Sequence, residues 1–359
     1  MLNKISVRIL GMLFTSILFS LNSCIKEPPK SSGKDNPNEF NGTRVVVLCE
    51  GNYLWNNASM DVYLPDSQKV YNNVFEGANQ TDLGDVLQSA LVLNGKLNLV
   101  VNNSGKIVQV DSRTFKLTQS SAGFTSPRYL ASAMGQLFVS DIKSPFIVIV
   151  DSQSLQKVGS IQIPDQIVNG ESYWSEQMVA SDSLVYVALE SGKLMVIHAQ
   201  KHTRELISAE PGSTQICMDS QKRIWLLCSH NGQSALLQYH SQSKKLEQRI
   251  PILPHLSNVS ATKMVLSKSE NKLYLLVNGK LYALPVSSNI QAQSIYNIGV
   301  DGLKNAYGLN VNPFSGDIYI ADAVDYVSNG KAWVLDSDEK MKQQFNTGVI
   351  PTDFVFLRE

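Results

Sequence analysis

The chain has 359 residues, 43% of them hydrophobic and only 17% charged, with 31 basic residues balancing 31 acidic ones. This composition supplies a large apolar core and excludes an intrinsically disordered chain. With no basic excess and no basic run, it also lacks the electrostatic footprint of a nucleic-acid binder.

The first element is a leader. Lys4 and Arg8 precede a mostly apolar run from Ile9 to Leu21, too short for a spanning helix of about 20 residues and suited to the h-region of a signal peptide. Leu21-Asn22-Ser23-Cys24 resembles the bacterial lipobox, which implies lipidation at Cys24 after removal of residues 1–23. Loss of Lys4 and Arg8 leaves 29 basic against 31 acidic residues, a net charge of −2. Ile25 in place of an aspartate gives no inner-membrane retention signal, and Lys26-Glu27 resembles a surface-export tag. The stretch that follows is rich in Pro, Ser, Gly, Asp and Asn, so residues 24–42 read as a lipidated tether with a reach of about 20–25 Å. The folded domain is expected over 43–359.

Beyond the leader no helical period persists over three turns. A short apolar strand recurs instead, starting at Val45, Leu97, Leu137, Val185, Ile224, Leu273 and Ile318, seven times at a spacing of roughly 40–50 residues. Each is followed by a turn and another apolar run, as in Ile107–Asp111 and Ile147–Asp151, then a mixed segment such as Lys116–Gln119 or Lys244–Gln248. Continuous apolar runs fit strands covered on both faces, and mixed ones fit an outer edge. Four strands per unit make a blade. The pattern predicts an all-β, seven-bladed β-propeller. The first apolar strand lacks a partner before it, and Thr352–Leu357 lacks partners after it. Pairing these N- and C-terminal strands would close the ring and remove an open edge.

Cys49, Cys217 and Cys228 are odd in number and show no metal-finger spacing. Cys217 and Cys228 fall on neighbouring strands, so a disulfide and a pair of small core residues both remain open. No HExxH, G-x-S-x-G or phosphate-binding glycine loop occurs, and no cofactor is called for.

Units such as Leu137–Asp141 followed by Ile147–Asp151 resemble the YVTN or YncE-type propeller repeat. Glu50-Gly51-Asn52, Leu83–Val86, Val101–Ile107, Ser126–Tyr129, Glu176–Val179, Tyr307–Leu309 and Ile320–Val327 sharpen this. They resemble the surface-lipoprotein propellers of Bacteroidota of the DUF5074 type, which include the cobalamin-capturing BtuG proteins. The resemblance runs from about Val45 to Leu357. It implies an outer-membrane, lipid-anchored protein at the cell surface. Such a protein would bind a nutrient, cobalamin or cobinamide, and pass it to a TonB-dependent transporter.

In a propeller, second-to-third strand loops and blade-to-blade links surround one mouth of the channel. Mapping these loops selects Asn52, Tyr53 and Trp55, then Asn102 and Asn103, then Arg128, Asp141 and Trp174, and finally Tyr307, Asp322 and Tyr326. Rings beside amides and charges suit a large amphipathic ligand. The alternative is a propeller lactonase or hydrolase holding a hard cation on Glu50, Asn102, Asp141 and Asp322. A scaffold for other surface proteins is a third reading.

Overall fold

The computed structural model describes residues 42–164, 167–168, 171–172, 174–286 and 292–358; residues 1–41, with Cys24 and the leader, lie outside the described part. Seven four-stranded antiparallel sheets form the blades of a propeller. Blades 1 to 6 follow chain order, with innermost strands Leu87–Leu93, Pro127–Ala133, Ser175–Ser181, Ser213–Met218, Ala261–Leu266 and Ala306–Val311. Blade 7 mixes both ends of the domain. Its innermost strand is Pro351–Leu357, followed outward by Arg44–Cys49, Ser59–Leu64 and Lys69–Tyr71. Val46 pairs with Val355 and Val47 with Phe354, so the ring closes as the sequence pattern predicts. Consecutive innermost strands touch all the way round.

The core lies between blades. Second strands such as Leu184–Leu189 and Lys272–Val277 are almost wholly buried, because a neighbouring blade covers each face. Fourth strands such as Leu117–Ala122 and Thr203–Ser208 are mostly exposed and carry the mixed composition expected of an outer edge. Trp225 and Trp333 are inter-blade core residues whose indoles donate to Asp219 (3.1 Å) and Asp322 (3.3 Å). The single α-helix among the described residues, Val74–Asn79, has six residues, too few to leave a helical period. No described helix is long and apolar enough to cross a membrane.

Cys217 pairs with Trp225 and Cys228 with Ser213. The two cysteines are on adjacent strands but out of register, and all three described thiols are free.

Candidate functional site

Strand polarity places the start of every innermost strand, the end of every second strand and the described ends of the blade-to-blade links on one face, here called the upper face. Each innermost strand is irregular close to its upper end. Register shifts fall between Leu87 and Ser89, Pro127 and Leu130, Ser175 and Met178, Ser213 and Gln215, Ala261 and Lys263, and Ala306 and Gly308. In blade 7 the shift leaves Thr352 as the extra residue. A bulge turns a side chain out of the ladder, and at these positions the turned residues include Gln88, Arg128, Glu176 and Tyr307.

These residues form a charged cluster around the upper channel. Arg128 Nε donates to Glu176 Oε2 at 3.1 Å across blades 2 and 3, and Arg128 also donates to Gln88 on blade 1. Tyr307 OH donates to Glu50 at 3.2 Å, linking blades 6 and 7. Burial pushes the Glu50 carboxyl up, against the opposing pull of Thr352, Lys263 and Arg128. Glu176 is likewise raised by burial despite Arg128. Lys263, on blade 5, feels Tyr129, Asp353 and Glu50. Burial works to lower its ammonium, but those acidic groups outweigh it and hold the value above the ordinary one. Groups from blades 2, 3, 5 and 7 meet only near the axis. Gly308 permits the close approach beside Tyr307, since a Cβ there would sit 2.3 Å from the Thr352 carbonyl oxygen.

An aromatic rim adjoins this cluster. The Tyr326 ring meets Tyr307 edge-on at 5.7 Å, and the Tyr326 carbonyl accepts from Asn52 Nδ2 at 3.1 Å. Asn52 opens the loop that carries Tyr53 and Trp55, 62% and 42% exposed. The loop is stapled by Asn52 N donating to Asn57 Oδ1 (2.8 Å) and docks on blade 1 through Leu54 N and Asp85 Oδ2 (2.8 Å). Asn103 Nδ2 reaches the same Asp85 oxygen at 2.6 Å. Contacts thus join the Asn52–Trp55 loop to Tyr326 and Tyr307 on one side and to Asp85 and Asn103 on the other, over blades 6, 7 and 1.

Other selected residues stand differently. Asp141 receives the amides of Thr125, Ser126 and Lys143, and Asp322 those of Lys304, Asn305 and Val324. Both carboxylates are buried and fix the link entering their own blade. Asn102 ties blades 1 and 2 through the Pro127 carbonyl (2.8 Å) and Ser126 Oγ (3.3 Å). Trp174 is exposed on the link between blades 2 and 3. Consequently Glu50, Asn102, Asp141 and Asp322 do not present four available oxygens. Among the described residues no group of three His, Cys, Asp or Glu side chains is placed to hold a metal ion.

Sequence mapping did not select Gln88, Lys263 or Asp353, and Glu176 and Asp85 entered only within quoted motifs. A charged residue within an innermost strand, such as Lys263 in Ala261–Leu266, is the signal that marks this group.

These features define a seven-bladed propeller with a charged, aromatic-rimmed upper mouth. Residues 42–338 match the family described as a domain of unknown function, DUF5074, and the chain belongs to that family. No curated protein sequence matches it. Solved structures with the same fold include a quinonprotein alcohol dehydrogenase-like protein from Bacteroides thetaiotaomicron (16% identity, 89% of this chain and 79% of that one, TM-score 0.68). A candidate 6-phosphogluconolactonase from Bacteroides fragilis is similar at 10% identity over 91% of this chain and all of the other, TM-score 0.67. Apo AztD from Citrobacter koseri is similar at 11% identity, covering 89% and 98% of the two chains, TM-score 0.55. Identities this low speak to the fold alone.

Proposed function

We propose that the protein is an exported, surface lipoprotein that captures a nutrient at its upper mouth, and that the nutrient is a corrinoid, cobalamin or cobinamide. The observation that carries this reading is the run of contacts from the Trp55 loop through Asn52, Tyr326 and Tyr307 to Glu50, whose carboxyl feels Arg128. Exposed rings cover the apolar body of a large ligand, while amides and charges pair with its polar periphery. The lipobox-like Cys24 supports anchoring at the outer membrane. Exposed Leu54 and Val327 beside the rings give the same rim an apolar edge suited to handing the ligand to a TonB-dependent transporter. In the lactonase alternative Asp141 and Asp322 already hold backbone amides, and Glu50 and Asn102 accept from the Tyr307 and Ser126 hydroxyls, so binding is the reading the geometry favours.

Calorimetric titration of residues 43–359 with cyanocobalamin tests the proposal. Saturable one-to-one binding is expected, weakened by Trp55→Ala. Silence at high micromolar ligand by calorimetry and by absorbance sinks the corrinoid.

A further inference from the structure

The upper face holds a buried polar atom that the protein does not use. Asp85 is 6% exposed, and its Oδ2 takes both the Leu54 amide and Asn103 Nδ2. No described group donates to its Oδ1. A buried carboxylate oxygen without a donor is costly, so its presence beneath a ligand-facing loop calls for a reason.

The backbone around it is strained as well. Leu54, Asn56 and Val86 have φ of 68°, 52° and 63°, and a β-branched residue rarely enters the left-handed region. Such conformations persist where surrounding contacts enforce them, and they gather at ligand clamps. The Val86 carbonyl is held by Asn102 N at 2.8 Å, and the Asp85 amide by Ser104 Oγ at 2.9 Å. Asp85 is therefore fixed from the blade 1 side, while its cover is the stapled loop of blade 7. That loop reaches blade 1 through Leu54 N on Asp85 and Asn56 Nδ2 on Asp82 (3.2 Å).

We propose that Asp85 is the specificity residue of a subsite between blades 7 and 1 that takes an N–H donor, a primary amide or an ammonium group. This rests on the reading of the upper mouth as a ligand site. The loop lifts as a unit to admit the group, then closes with Leu54 N and the ligand's N–H on the two oxygens of one carboxylate. A carboxylate accepts and cannot donate, so an ester or ether oxygen at this place is rejected. Trp55 and Tyr53 on the moving loop cover the adjoining apolar part of the ligand. The acidic Asp82 next to Asn56 adds to the preference for a donor over an anion.

Asp85→Asn separates this role from loop support. The carbonyl of the new amide can keep Leu54 N and Asn103 Nδ2, while its NH2 replaces the free acceptor by a donor of the same size. Cyanocobalamin, whose periphery carries primary amides, is expected to bind this variant roughly 10- to 100-fold more weakly, at an unchanged melting temperature. Equal affinity in the two proteins overturns the proposal. A second arm needs neither that ligand nor a variant: methylammonium is titrated into the wild-type protein while the Leu54 and Asn103 amide resonances are followed by NMR. Saturable shifts are expected, and their absence overturns the subsite. If wild-type protein ignores cyanocobalamin, the corrinoid reading fails and the methylammonium arm still decides the role of Asp85.

Discussion

Replacing Arg128 by Leu removes the cation from a pair whose side chains are 24% and 8% exposed in Arg128 and Glu176. Removing one partner of a buried pair costs about 3–5 kcal/mol, because the remaining charge is left without compensation; partial exposure of Arg128 favours the lower end, ~3 kcal/mol. An unfolding entropy of about 2.1 cal/mol/K per residue over roughly 300 folded residues is about 0.6 kcal/mol/K, so the melting temperature should fall by about 5 °C. The loss also carries a pH signature. Burial already holds the Glu176 carboxyl above its ordinary value, and deleting Arg128 raises it further. A carboxyl raised on folding contributes stability at low pH, which is lost as pH rises through the raised value. Arg128→Leu should therefore be less damaging at pH 5 than at pH 8. Adding Glu176→Gln should restore most of the difference at pH 8. Melting curves of the wild type, both single variants and the double variant, at both pH values, make the cycle. A loss independent of pH, or a double variant no better than Arg128→Leu, refutes the argument.

Two other outcomes follow from packing and burial. Phe354→Ala, on the closing strand beneath Tyr319 (ring centroids 5.4 Å apart), should cost about 3–5 kcal/mol and sensitise the ring to limited proteolysis; an unchanged urea midpoint counts against closure by this strand. Burial pushes all three described thiols up, Cys228 to about 11, so a chromogenic thiol reagent should label the buried Cys49 and Cys228 only on unfolding and the half-buried Cys217 ahead of them. Fast labelling of Cys49 or Cys228 in native buffer contradicts their placement.

The blades were legible because burial on both faces writes a continuous apolar run, and Val45–Leu48 and Phe354–Leu357 each lacked a partner that the other could supply. The rim was legible too, since Tyr53, Trp55 and Tyr326 are rings in polar loops, where a core has no use for them. The charged cluster was not. Glu50, Arg128, Glu176 and Lys263 come from four blades, and only ring closure brings them together. Bulges hid them further, because an extra residue breaks the alternation that tells which way a strand side chain points. Asp141 and Asp322 show the converse. Their place at strand ends was legible, but whether an oxygen faces the channel or a backbone amide depends on the link it caps.

Closure through blade 7 also orders events in time. A chain synthesised from its N-terminus presents Arg44–Cys49 long before Pro351–Leu357, the strand that pairs along its inner side. Six blades can form from neighbours in sequence, yet the seventh waits for the far end of the domain. Until then the inner edge of Arg44–Cys49 is an unprotected template, open to the closing strand of another copy. Crowding of unfinished chains therefore favours exchange of that strand between molecules, and prompt completion of residues 351–357 keeps each ring to itself.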